Sequence, residues 1–138
     1  MTLPIATVST HAAAVLDELT AALNVGESRT IDCGTGFMAV HVECLRQTPH
    51  GAVFSVAHYF NANGDLVADP DLELLRRSDR SWAPLSFQDS LAHRVVARLR
   101  DDGTVEVDAR GQRELVRFAN HWMRNVAAQQ GIRPRRTR

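Results

Sequence analysis

The segment from His58 to Asp71 holds the densest group of side chains that could do chemistry. It supplies an imidazole, a phenol, an amide and three carboxylates, from His58, Tyr59, Asn63, Asp65, Asp69 and Asp71. Carboxylate oxygens and an imidazole nitrogen can hold a divalent cation, and a bound cation can activate water for hydrolysis. One hypothesis for this protein is therefore a metal-assisted hydrolase centred on His58, Asp65 and Asp69.

The same spacing also has a purely structural explanation. When Gly64 is aligned with the sixth position of a calcium-binding loop, Pro70 stands where the terminal glutamate belongs. Asn63-Gly64 is instead a strong signal for a tight hairpin turn, and neighbouring Asn and Asp side chains commonly cap the local backbone. We favour this turn and predict no bound metal and no cofactor. We expect His58 to lie on a central strand and to hydrogen-bond within the core.

Arginines form a second group, near the C-terminal end of the chain. Residues 109–138 carry eight arginines and one acidic residue, Glu114, for a net charge of +7, whereas residues 1–108 carry −7. At 100° per residue, four of the eight fall within about 60° on one side of a helix. These four, and three that follow in the tail, are Arg110, Arg113, Arg117 and Arg124, then Arg133, Arg135 and Arg136.

These seven arginines are the candidate partner-binding residues. The planar guanidinium group pairs bidentately with carboxylates and phosphates, so the partner is expected to be an acidic protein surface or a nucleic acid. The alternative is a solvated helix face with a loose end. Aromatic residues make up 6% of the chain and none alternates with these arginines, which argues against a stacking platform for single strands.

Composition excludes several enzyme classes. The chain contains no lysine and no glycine-rich phosphate or dinucleotide motif, so a P-loop, a Schiff base and a pyridoxal phosphate anchor are excluded. Cys33 and Cys44 form neither a C-x-x-C pair nor a metal-ligand cluster. We expect both to be reduced thiols, with one or both buried, and we assign no catalytic residue.

The 138 residues, 44% hydrophobic and 23% charged, are typical of one soluble domain. No apolar run approaches the roughly 20 residues of a membrane helix, and the N-terminal segment lacks the features of a signal peptide. We expect a cytoplasmic protein without membrane contact. Residues 1–131 should form one α+β domain, followed by a basic, disordered tail at residues 132–138.

The expected elements follow from periodicity. Apolar residues at helical spacing predict helices over residues 9–23 and 112–130. Alternation and turn signals predict antiparallel strands near residues 38–44, 52–60, 66–75 and 104–107. The third of these should be bent, bulged or at an edge at Pro70. Residues 91–99 fit strand or helix, and we favour strand. The predicted fold is an antiparallel sheet of about four to six strands with N-terminal and C-terminal helices packed against it.

Several short motifs resemble a small bacterial domain family found largely on plasmids, integrative elements and phage-derived islands. The resemblance spans roughly residues 37–131 and rests on His58-Tyr59, Asn63-Gly64-Asp65, Asp69-Pro70, Trp82-Ala83-Pro84 and the W-x-x-N motif from Trp122 to Asn125. It implies no catalytic residues. It does imply a context, because accessory proteins of mobile elements often disable host defence complexes, such as restriction or CRISPR effectors, or assist plasmid maintenance.

Three functions remain open at this point. The one we favour is a non-enzymatic interaction protein of a mobile genetic element, of the anti-CRISPR or anti-restriction type, that inhibits or remodels a host protein or nucleoprotein complex. The metal-assisted hydrolase is the first alternative. The second is direct nucleic-acid binding through the arginine-rich C-terminal helix.

Overall fold

The computed structural model describes residues 5–34 and 36–134. Within these ranges the elements are α1 (Thr10–Thr20), β1 (Ser28–Ile31), β2 (Val40–Thr48), β3 (Gly51–Ala62), β4 (Asp65–Arg77), β5 (Trp82–Gln88), β6 (His93–Val95), β7 (Ala97–Leu99), β8 (Val105–Val107) and α2 (Ala109–Gln130). Strands β1 to β6 form one antiparallel sheet in chain order, and β7 pairs with β8 in a second sheet. The predicted α+β fold, with a helix at each end, is confirmed.

Two turns hold the long strands β2, β3 and β4 in register. Between β3 and β4, Asn63 and Gly64 have φ angles of 54° and 91°, the positive values that a tight Asn-Gly hairpin requires. At the start of β3, directly after the turn from β2, Gly51 has a φ of 135°, and a Cβ there would lie 2.0 Å from the carbonyl oxygen of Arg76. The neighbouring strand thus leaves room for glycine alone at position 51.

Strand β4 lies inside the sheet and carries a bulge at the proline that the sequence singled out. Ala57 pairs with Asp71 and Tyr59 pairs with Ala68, so two residues of β4, Asp69 and Pro70, face a single residue of β3. The peptide bond between them is cis. Of the three predicted possibilities, the structure shows the bulge. It places the irregular part of β4 directly opposite His58.

Both helices pack on one face of the sheet. The predicted apolar arc of α2 packs there: Phe118 is partly buried, and the buried members are Leu115, Ala119, Trp122, Met123 and Val126. Helix α2 begins at Ala109, three residues before the predicted start, because the Asp108 carboxylate accepts a hydrogen bond from the Gly111 N–H and caps the first turn. It ends at Gly131, whose φ of 67° closes the last turn as predicted. Arg110 is therefore part of the helix.

The opposite face of the sheet is partly covered by the β7–β8 hairpin, which packs on Val53, Leu75, Ala83 and Leu85. Residues 91–99, whose assignment the sequence left ambiguous, are extended but form two strands in different sheets. Val96 separates β6 from β7, and its side chain is buried in the core on the helix side. Neither helix of the described chain is long and apolar enough to cross a membrane.

Candidate functional site

Four arginines, Arg110, Arg113, Arg117 and Arg124, lie on the exposed side of α2, as predicted, and we call them the arginine face. The Arg110 side chain is 86% exposed, and its Nε lies 3.5 Å from Glu114 Oε1. The side chains of the other three form no hydrogen bond or ion pair with any described residue. The arginine face therefore presents three unpaired guanidinium groups to solvent.

Glu114, the single acidic residue of the segment 109–138, also binds an arginine that lies outside the arginine face. Arg94, near the edge of the sheet, donates a 2.9 Å hydrogen bond to Glu114, and its guanidinium also lies 3.7 Å from Asp108. The hydrogen bond and charge of Arg94 hold the pKa of Glu114 below its ordinary value, so this carboxylate stays ionised and bound to Arg94. The positive charge of α2 beyond its first two turns has no acidic counterpart on the helix.

Two buried glutamines fix the rotation of α2. Near the N-terminal end, Gln112 accepts a hydrogen bond from the Ala6 N–H at 2.8 Å and donates to a β5 carbonyl at 3.1 Å. At the other end, Gln130 accepts from the Cys33 N–H at 2.9 Å and donates to the Met38 carbonyl at 3.0 Å. Eighteen residues are five full turns, so both glutamines lie on one line along the helix. They hold the arginine face toward solvent.

Arg117 and Arg124 border a cleft between α2 and the start of α1. We call it the interhelical cleft: it has a volume of about 510 Å³, and Ser9, His11 and Asn120 complete its lining. Asn120 Oδ1 accepts a hydrogen bond from the Ser9 N–H at 2.8 Å, which joins the two helices beside the cleft. The lining contains two guanidinium groups and no carboxylate, so the cleft suits an anion.

Sequence reasoning identified the two arginines of this cleft and missed His11 and Asn120. The helical spacing of each segment could be seen in the sequence, but the contact between them joins Ser9 to a residue 111 positions away. No local pattern signals such a pairing. The partial clue was that Asn120 is a polar residue close to the apolar arc of α2.

The structure describes only one of the three predicted tail arginines. Arg133 is exposed, while Arg135 and Arg136 lie outside the described residues. Ile132, the first residue of the predicted tail, packs against the core and donates its N–H to the Ala127 carbonyl at 2.9 Å. The packed part of the chain therefore extends one residue further than predicted.

The six residues of the predicted polar cluster do not form one site. His58 points toward the helices, whereas Tyr59 and Asp71 lie on the opposite face of the sheet. Asn63 and Asp65 are exposed at the tip of the β3–β4 hairpin. In the part of the chain that is described, no group of three or more His, Cys, Asp or Glu residues is placed to hold a metal ion. The described residues therefore provide no set of metal ligands for the hydrolase hypothesis.

His58 is the buried member of the predicted cluster. The residue is 7% exposed, and its ring meets that of Trp122 edge to face. Its Nε2 atom is buried and has no hydrogen-bond partner among the described residues, so at this nitrogen the predicted core hydrogen bond is absent. The neighbouring ring that α2 supplies, that of Trp122, meets His58 edge to face, and no hydrogen bond to Nε2 accompanies this contact. Burial lowers the pKa of His58, the charge of His41 lowers it further, and Asp69 opposes the shift. Asp69 itself is exposed on the bulge of β4.

Tyr59 and Asp71 make separate contacts on the other face of the sheet. The Tyr59 ring packs against the ring of His41 with centroids 5.3 Å apart, and Asp71 accepts a 2.6 Å hydrogen bond from the Ser55 hydroxyl. Burial raises the pKa of Tyr59, with smaller contributions from Asp71 and Glu43. The phenol therefore stays protonated at neutral pH. These two contacts are separate from each other and stabilise the sheet surface.

A comparison with protein-family models identifies the domain. The model described as Domain of unknown function (DUF6908) matches residues 11–132, which include every strand, α2 and nearly all of α1. Four of the five residues that line the interhelical cleft fall inside the match. No curated protein and no solved structure matches the chain. Because the family model covers most of the sequence, the chain belongs to the DUF6908 family.

Proposed function

We propose that this protein is a non-enzymatic interaction protein whose arginine face docks on an anionic surface of a host nucleoprotein complex. One observation carries the proposal: Arg113, Arg117 and Arg124 are exposed on one side of a rigidly held helix and have no partner in the described chain. An arginine that serves the fold makes contacts within it, as Arg94 does with Glu114. Three that make none are available to a partner.

The charge distribution supports docking at this face. The chain has no net charge, but its C-terminal 30 residues carry +7 and the rest carries −7. Local potential, and not the total charge, steers association and excludes partners of the wrong sign. The distance along α2 from Arg113 to Arg124 is about 16 Å at 1.5 Å per residue. That length lets the face contact several phosphates or carboxylates at once.

The class of partner is proposed from the resemblance to mobile-element proteins. Accessory proteins of such elements often act against host defence, and restriction and CRISPR effectors hold nucleic acid whose phosphate backbone is a dense anionic surface. Docking there would block or remodel the effector. We therefore propose an anti-defence protein that acts by binding, with the acidic residues of the segment 1–108 free to contact a second part of the same complex.

The experiment that tests the proposal is capture of the partner from a lysate of the native host. Tagged wild-type protein is compared with R113Q/R117Q/R124Q, before and after nuclease treatment, and bound proteins are identified by mass spectrometry. We expect one stoichiometric complex, retained after nuclease treatment, with wild type. The triple variant should recover much less of it, because each lost guanidinium removes charge-assisted hydrogen bonds.

The matched control is R77Q/R80Q/R98Q, which removes the same charge from other parts of the surface. It should capture the complex as wild type does. Equal capture by all three proteins would contradict the proposal. Recovery of nucleic acid alone, lost on nuclease treatment, would favour direct nucleic-acid binding instead.

A further inference from the structure

The interhelical cleft has features that the rest of the arginine face lacks. Arg117 and Arg124 are seven residues apart on α2, or about 10 Å along its axis, and both border the same cavity. His11 of α1 lines it from the other helix. Neither guanidinium has a partner in the described chain, and none of the lining residues is acidic. Two helices thus bring three cationic or ionisable groups to one cavity.

The walls of the cleft are held by contacts behind it. Asn120 accepts a hydrogen bond from the Ser9 N–H, and the Ser9 hydroxyl accepts one from the Ala12 N–H at 3.1 Å. Ala12 of α1 and Ala119 of α2, next to these residues, are fully buried in the core. A ligand would therefore find the cavity already formed, so binding requires little ordering of the backbone.

The donor set indicates which anion fits. A carboxylate has two oxygens in one plane and is satisfied by a single arginine fork, whereas a phosphate directs its oxygens around a tetrahedron and can accept from two arginines at once. The cleft is open to solvent, so a phosphate held in it can stay attached to the sugar that carries it. The lining thus matches a phosphate attached to a larger group.

From this geometry we infer that the interhelical cleft seats one phosphate of a nucleic-acid backbone, with Arg117, Arg124 and His11 as donors. The inference rests on the proposed function, because the phosphate belongs to the nucleoprotein partner. It assigns two of the arginines to a defined site that includes His11. It leaves Arg113 as a contact for neighbouring phosphates outside the cleft.

The test is an NMR titration of the full-length, ¹⁵N-labelled protein. The first probe is sodium phosphate, with sodium chloride of equal ionic strength as the blank. We expect saturable shifts confined to the amides of residues 9–12 and 117–124. The second probe is a single-stranded DNA octanucleotide, which should shift the same amides with an affinity at least about tenfold tighter, because further phosphates contact the rest of the face.

Two matched variants show whether phosphate binding depends on the cleft or on the overall charge of the protein. R117Q/R124Q removes both guanidinium groups of the cleft, and R110Q/R113Q removes two from the same helix outside it. We expect the first to weaken phosphate binding by about tenfold or more and the second by less than about twofold. Unchanged spectra away from the substitutions will show that both variants are folded.

The outcomes separate this inference from the proposed function. Equal weakening by both variants, or shifts spread over all exposed arginines, would overturn the site. Phosphate binding without tighter binding of the octanucleotide would overturn its assignment to a nucleic-acid backbone. Either result is compatible with arginine-dependent capture of a host complex, which would still support the proposed function. Phosphate binding in the cleft with no such capture would contradict the proposed function alone.

Discussion

His58 and Trp122 meet edge to face, with ring centroids 5.2 Å apart and ring planes at 89°. This contact joins β3, an inner strand of the sheet, to the helix that carries the arginine face. His58 Nε2 is buried without a partner among the described residues, and burial lowers the pKa of His58, so the neutral imidazole is favoured in this contact. A proton on that ring would introduce a buried charge next to the indole. We therefore expect protonation of His58 to weaken the packing of α2 on the sheet.

The first prediction is a loss of stability in mild acid. The folded-state pKa of His58 is lowered from the ordinary value of 6.5, so the unfolded chain binds the proton first as pH falls. The stabilisation that the neutral His58 gives to the folded state is complete above pH 6.5. It decreases as the pH falls below 6.5 toward the folded-state pKa. We expect the free energy of unfolding, measured in urea, to fall more between about pH 7.5 and about pH 5.5 in wild type than in H58F.

The substitution in H58F keeps a ring against Trp122 and removes the titrating group. A matched control is H93F, because His93 is exposed on β6. The control should keep the pH dependence of wild type. If the free energy of unfolding has the same pH dependence in wild type and H58F, the loss of stability in mild acid does not come from His58.

A second prediction concerns Gln112, which links α2 to the N-terminal segment and to β5. Its replacement by alanine leaves the part-buried Ala6 N–H and a buried β5 carbonyl without their hydrogen-bond partners. We expect Q112A to lower the free energy of unfolding by about 3 kcal/mol, since each orphaned group costs about 1–3 kcal/mol. Q128A, at an exposed position of the same helix, should change it by less than about 0.5 kcal/mol. Equal losses of stability in Q112A and Q128A, measured by urea unfolding, would show that the hydrogen bonds of Gln112 do not stabilise the fold.

The third prediction tests the turn between β2 and β3. A methyl group at position 51 would lie 2.0 Å from a backbone oxygen, and the φ of 135° is strained for any residue with a side chain. We expect G51A to cost about 4 kcal/mol, from both overpacking and strain. G103A is the comparison, because Gly103 also has a positive φ but has open space around it. It should cost about 1 kcal/mol, and similar losses in the two variants would refute the steric explanation.

The fourth prediction distinguishes the two thiols. Neither cysteine is in a disulfide, so both are reduced thiols, as expected; Cys33 is exposed while Cys44 is buried. Burial raises the pKa of Cys44, and the charges of Glu27 and Glu43 raise it further, so this thiol forms the reactive thiolate less readily. A thiol reagent at neutral pH should therefore titrate one group in the native protein and two after unfolding. The C33S variant should react only after unfolding. Rapid reaction of native C33S would show that Cys44 is accessible.

The parts of the fold that could be predicted are those with local signals. The apolar arc of α2, the Asn63-Gly64 turn and the end of α2 at Gly131 each depend on a few neighbouring residues. The bulge at Pro70 was among the predicted possibilities because proline cannot donate a ladder hydrogen bond. Such features follow from backbone chemistry alone.

The candidate site depends on contacts that no local pattern specifies. Strand pleating sends His58 and Tyr59 to opposite faces, so residues that are dense in sequence are separated in space. Gln112 and Gln130 fall on one line inside the apolar arc, which is a visible signal, but the N–H groups of Ala6 and Cys33 that bind them lie about a hundred residues away in the chain. The interhelical cleft exists only because α1 and α2 pack together.

The central claim is that the arginine face binds the partner. The most direct measurement is the Kd between the purified captured complex and wild type, R113Q/R117Q/R124Q or R77Q/R80Q/R98Q at several salt concentrations. We predict that the first variant binds at least about tenfold more weakly at low salt, with a shallower salt dependence, while the second matches wild type. Equal affinities and equal salt dependence for wild type and R113Q/R117Q/R124Q would contradict the account.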